Sequence, residues 1–235
     1  MPLAPQTKVS RNGRQQGRYQ ARRLEILRAA GRQFRSRGFV ETGMRDIAEA
    51  AELSPANLYN YFQGKHEILF FCQDSSLDRL IAALGKARRA KTSTATRLRL
   101  VIVSHLRCLL DEVEGSAAHL LTNALPPREL RYLVAKRDRY ERGVRSLIAG
   151  GMRGGEFVSG DAALVARAML GALNWSVRWF RPDGPMTAEQ IAEQLADYLI
   201  RGLLAKAEAI SARRRNDANC ARPISEDTRI RLAAR

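Results

Sequence analysis

Between Ser54 and Phe62 the chain reads Ser-Pro-Ala-Asn-Leu-Tyr-Asn-Tyr-Phe, and its polar members are the ones equipped for recognition chemistry. The amides of Asn57 and Asn60 donate and accept at once, which is what base edges in a DNA major groove present. Tyr59 and Tyr61 carry hydroxyls at the ends of rigid rings, a reach that suits phosphates. Ala56 is small enough to let a backbone approach or to touch a thymine methyl. Leu58 and Phe62, four apart, fall on the opposite side of a helix and would anchor it to a core. Ser54 can accept the orphan N–H groups of the first turn, and Pro55 suits the first helical position. The segment therefore predicts a short helix with one face turned outward, ending near Phe62. For Tyr59 two readings stand, packing and phosphate contact.

The elements that must position this segment lie just before it. A helix over about 43–51 has Thr42 as its N-cap and Ile47, Ala48 and Ala51 inward. Glu52-Leu53 makes the turn, and two helices so joined form a helix-turn-helix, whose second member lies in the major groove. A first helix over about 20–37 carries Leu24, Leu27, Ala30, Gly31 and Phe34 on one stripe and stops at Gly38. A fourth starts at Lys65, carries Ile68, Leu69 and Leu77, and runs to about 83.

The stretch from Arg37 to Lys65 resembles the N-terminal domain of TetR-type transcriptional regulators over about residues 20–80. The Gly-aromatic turn, Arg45-Asp46-Ile47-Ala48, Leu58-Tyr59-x-x-Phe62 and the following Lys65 all occur in order. The resemblance implies a homodimer that binds a partly palindromic DNA operator and is released by a small effector. By position, it implies that Thr42 and Arg45 contact phosphates, that Pro55, Ala56, Asn57, Tyr59, Asn60 and Tyr61 form the recognition surface, and that Lys65 grips a phosphate. A solvated Arg45 and a purely capping Lys65 are the alternatives. Glu52 stands where the family commonly has Gly, and Asn60-Tyr61 where an aromatic-His pair is frequent; both leave the operator sequence open.

Beyond residue 84 five more helices are expected, at about 97–113, 116–124, 127–150, 161–180 and 188–209, the last opened by a Thr187/Gln190 capping box. The expected fold is all-α with about nine helices: a disordered basic arm (1–18), a DNA-binding domain (19–83), a helical effector and dimerisation domain (84–210), and a disordered basic tail (211–235). Ala168, Gly171 and Ala172 on one helix, with Ile191, Leu195, Leu199 and Gly202 on the last, could form a four-helix dimer interface or an internal core. The run Asn174-Trp175-Ser-Val-Arg178-Trp179, with residues 136–141, resembles TetR regulators that sense acyl-CoA thioesters. Arg137 falls on the apolar face shared by Leu133, Tyr140, Val144, Leu147 and Ile148, so it needs a partner: Glu141, or a ligand phosphate or carboxylate. Trp175 and Trp179 are either core or ligand wall. Arg137, Tyr140, Trp175, Arg178 and Trp179 are thus the candidate effector residues.

Composition agrees with a polyanion-binding end on a larger body. The net charge is +16, and residues 1–40 hold ten Lys/Arg against one acid, Glu25, while the middle of the chain is nearly neutral. No run approaches the length of a membrane span, and three scattered cysteines argue against a disulfide framework or zinc cage, so a cytoplasmic location is expected. A phosphate-cradling glycine loop, His-Glu metal spacing and a nucleophile elbow are all missing from the sequence. No enzyme activity, cofactor or metal is expected, only DNA, a second copy of the chain and a small effector.

Overall fold

A computed structural model describes residues 11–110 and 124–205. Eight helices account for them: α1 (Arg11–Arg37), α2 (Met44–Ala50), α3 (Pro55–Tyr59), α4 (Lys65–Arg89), α5 (Thr94–Leu110), α6 (Pro127–Arg153), α7 (Ala162–Trp179) and α8 (Ala188–Leu203). The ninth helix expected near 116–124 falls almost wholly outside the described residues, as does the tail from 211. Residues 11–18, expected as part of an arm, are instead the opening turns of α1. Arginine and glutamine are good helix formers, but with no apolar residue among them they leave no periodic signal.

The N-terminal core is small. Ile26, Leu27, Ala30 and Phe34 of α1 close on Phe39, Ile47, Ala48, Leu58 and Phe62, with Ile68, Leu69 and Cys72 of α4 beneath. Leu24, expected in that stripe, is exposed. Gly38 ends α1 at φ +86°, its N–H donating to the Phe34 carbonyl at 3.1 Å, the left-handed stop that only glycine adopts without strain.

α4 runs unbroken to Arg89, so its first turns belong to the N-terminal core while Leu77, Leu80 and Leu84 belong to the body. In the body α5 is central, packed on α4, α6, α7 and α8. Where the chain passes from α4 into α5, three elements are tied together. The Glu156 carboxylate accepts the first N–H groups of α5, from Thr94 and Ala95, each at 3.0 Å, which holds it below the usual carboxylate range. Beside it Val158 N–H donates to Leu203 O at 2.8 Å and Ala205 N–H to Glu156 O at 3.1 Å. Phe157 lies on Gly151 so closely that a Cβ there would sit 2.2 Å from its ring. This bridge ends α8 at Leu203, short of the expected 209.

Candidate nucleic-acid interface

α2 and α3 are held at their starts by side chains. Ser54 Oγ accepts from Asn57 N–H at 3.2 Å, as its position predicts. The cap of α2 is Gly43 rather than Thr42, and Asp46 accepts the Gly43 N–H at 2.7 Å. Thr42 is fully buried, its hydroxyl donating to Gly38 O at 2.7 Å with Gln33 O at 3.3 Å, so it braces the loop. The ammonium of Lys65 donates to the carbonyls of Phe39 (3.0 Å), Val40 (2.9 Å) and Thr42 (3.2 Å) and lies over the Phe39 ring. All three of its donors are spent. Lys65 is thus a staple for the loop before α2.

Between the two helices Glu52 takes φ +55°, the left-handed conformation that the turn demands and that glycine accepts more easily. Arg22 of α1 donates to Ala51 O at 3.1 Å and Glu52 O at 3.4 Å, fastening α1 to that turn. α3 then separates its faces cleanly. Leu58 and Phe62 are fully buried, while Pro55, Ala56, Asn57, Tyr59 (47% exposed) and Asn60 stand in solvent. Asn60 closes the helix as its C-cap, two residues before the predicted end, and its amide lies 3.4 Å from Asn57 Oδ1. Tyr61 is only half exposed and stacks on Tyr19 at 5.0 Å, so it splits its surface between packing and solvent. Arg45, on α2, is exposed. Sequence reading missed Tyr19 and Arg22 because they lie in a polar part of α1 and act only through this turn.

The candidate effector residues do not converge. Tyr140 is buried, its hydroxyl 3.1 Å from His105 Nδ1, and His105 Nε2 is 3.2 Å from Asn174 Oδ1. An amide oxygen only accepts, so Nε2 carries the proton and Nδ1 accepts from the tyrosine. Burial pushes the His105 imidazole down to about 4, against the Asn174 hydrogen bond, and pushes the Tyr140 phenol up. Arg137 is partly buried and donates to Gln73 at 2.7 Å; Glu141 instead faces Arg145 at 3.8 Å. Beside it Lys136 bridges Asp74 and Asp78 of α4. Burial alone would lower that ammonium, but the hydrogen bonds to the two carboxylates outweigh it and raise it.

Trp175, Arg178 and Trp179 lie elsewhere, exposed on α7, with Arg178 over the Trp175 ring. With Leu164, Ala168, Gly171 and Ala172 they form the outward face of α7, Leu164 being 65% and Trp175 63% exposed. On α8, Leu195, Leu199 and Gly202 face partly or fully outward with Tyr198 (74% exposed), whereas Ile191 is buried, in keeping with the internal-core alternative. Tyr198 was legible from spacing, three after Leu195 and four before Gly202. A cavity of about 520 Å³ opens where the first turns of α4 meet the start of α6, walled by Phe70, Phe71 and Tyr132 with Arg128 and Glu129 beside them. The adjacent aromatics Phe70-Phe71 were the unread signal for it.

Comparison with known proteins matches this layout. Residues 26–70 fit the bacterial regulatory protein model of the TetR family, a match that begins inside α1, and residues 91–203 fit a tetracycline-repressor-like C-terminal domain. The chain is 29% identical over 193 residues to the HTH-type transcriptional repressor KstR2 of Rhodococcus jostii, covering 77% of this chain and 91% of the relative. It superposes on the TetR-family regulator PfmR of Thermus thermophilus with a TM-score of 0.69 and 36% identity, over 77% of this chain and 99% of that one. AibR, solved with isovaleryl coenzyme A and operator DNA, shares the fold (TM-score 0.64, 24% identity, 78% and 98% covered). An all-α chain with a capped, outward-facing α3 and these relatives belongs to the TetR family of transcriptional regulators.

Proposed function

We propose that the chain is a homodimeric repressor that reads a palindromic operator through α3 and leaves it when a small effector, an acyl-CoA thioester, binds the body. One observation carries the DNA-reading part: Asn57, Tyr59 and Asn60 are exposed together on a helix whose Leu58 and Phe62 are fully buried. Arg45, Pro55, Ala56 and the exposed edge of Tyr61 complete the surface. The outward faces of α7 and α8 would meet their two-fold copies, placing two α3 helices on successive half-sites.

The effector site is best sought at the α4–α6 cavity, whose aromatic walls suit an acyl or ring-bearing group and whose Arg128 suits its acidic end. AibR provides the precedent that this fold accommodates a coenzyme A thioester.

The test begins with a duplex selected by the wild-type protein from a random library. Asn60→Ala or Tyr59→Ala is expected to weaken binding to it by about 10- to 100-fold, with little change on a shuffled duplex. Addition of isovaleryl coenzyme A is expected to release the wild type. Equal affinity of the wild type for the selected and shuffled duplexes would overturn the reading.

A further inference from the structure

The first turns of α1 hold charge that the helix-turn-helix does not use. Arg11, Arg14, Arg18 and Arg22 follow at steps of three, four and four within one helix. That spacing confines them to an arc of about 80° and spreads them over about 16 Å. No acid lies in the first turn, and the one acid before Glu41, Glu25, is already paired with Arg22.

The direction of this stripe is fixed at its inner end. Arg22 is bound to the carbonyls of Ala51 and Glu52, in the turn that leads into α3. One turn earlier Tyr19 is stacked on Tyr61, just past the end of α3. α1 therefore leaves the fold beside both ends of the reading helix and continues outward for eight more residues, of which Gln15 to Arg18 are exposed. A basic helix side that starts at the reading helix and runs away from it complements one polyanion in particular, the duplex on either side of the bases that α3 reads.

We propose that Arg11, Arg14 and Arg18 form a second, sequence-independent DNA contact that follows the phosphates flanking the operator core. This rests on the DNA-reading role of α3. The two surfaces divide the work: α3 discriminates between sequences, and the α1 extension adds affinity without discrimination.

The experiment uses the full chain, a selected 40-base-pair duplex and a shuffled duplex of the same composition. Wild type is compared with the Arg11→Gln, Arg14→Gln, Arg18→Gln triple variant, since glutamine preserves helix propensity. Each phosphate contact contributes about 0.9 to the slope of log affinity against log salt, so the triple variant should lose about 2.7 in slope on both duplexes. Raising salt from 50 to 200 mM would then cost the wild type about 40-fold more affinity than the variant. The ratio of selected to shuffled affinity should not move, and trimming the flanks of the duplex should abolish the difference between the proteins. An unchanged slope, or a loss confined to the selected duplex, overturns the proposal. A wild type that binds both duplexes equally marks failure of the α3 reading instead, because it shows without any variant.

Discussion

The fold leaves two surfaces open, and their chemistry is opposite. On α3 the exposed set is polar, Asn57, Tyr59 and Asn60, above a fully buried Leu58 and Phe62. On α7 the exposed set is largely apolar, Leu164, Ala168, Trp175 and Trp179 beside Arg178, above a buried Ala166, Met169 and Leu173. A monomer gains nothing by leaving two indoles and a leucine in water, which is what supports the proposed meeting of the α7 and α8 faces with a second copy. The contrast teaches that exposure alone does not name a partner. Group chemistry does: hydrogen-bonding amides for bases, rings and small residues for close-packed helices.

The largest expected effect comes from breaking the apolar member of the pair. Trp175→Arg should convert a dimer to a monomer in analytical ultracentrifugation while leaving the far-ultraviolet spectrum unchanged. Losing the second half-site should weaken operator binding by about 100-fold or more. If the variant remains dimeric at micromolar concentration, the α7 face is not the interface.

A second test probes what supports that face from behind. Asn174, on α7 beside Trp175, accepts from His105 in the core, and that imidazole is held down at about 4. The folded value lies below the ordinary 6.5, so below that pH the unfolded chain binds a proton the folded one refuses. The stabilisation is complete above pH 6.5 and fades as pH falls toward 4, by about 3 kcal/mol in all. Urea midpoints should therefore drop between pH 7.5 and 5, and His105→Gln should flatten that drop even if it lowers the whole curve. Parallel curves for the two proteins would remove His105 as the cause.

The polar face has its own support, and it is weaker. Lys65→Met would strip three carbonyls of their donor and should cost about 1–3 kcal/mol in urea unfolding. Its salt slope for DNA should stay that of the wild type, whereas a phosphate contact would take about 0.9 from it. Glu52→Gly is the smallest effect. Relieving the left-handed φ of +55° should raise stability by about 1 kcal/mol, seen as a higher thermal midpoint with operator affinity intact.

How much of this could be read from the chain follows the same division. The α3 face was legible because a Ser-Pro start and Leu58/Phe62 at four-residue spacing fix which side points inward. Lys65 and Thr42 were not, since an ammonium or hydroxyl serves a phosphate or a carbonyl equally, and only the path of residues 38–42 decides. The α7 tryptophans read as either core or ligand wall because that helix is apolar on both sides, and periodicity cannot tell which side faces the body. For Ile191, at the start of α8, the same ambiguity between interface and internal core resolves to burial. Arg137 was correctly marked as needing a partner, but its partner, Gln73, lies 64 residues away on α4, a distance no local pattern reaches.

The Glu156 tie at the α5 start has a mechanical consequence. It clamps the beginning of α5 and the end of α8 just after the chain leaves α4, so a swing of α4 would pivot at that corner. α4 is a lever about 37 Å long whose opposite tip carries the reading helix, and a swing of about 5° about that corner displaces that tip by about 3 Å. On the proposed DNA-reading role of α3, a shift too slight to disturb the body's packing would be magnified there into a misfit of half a base-pair's reach or more.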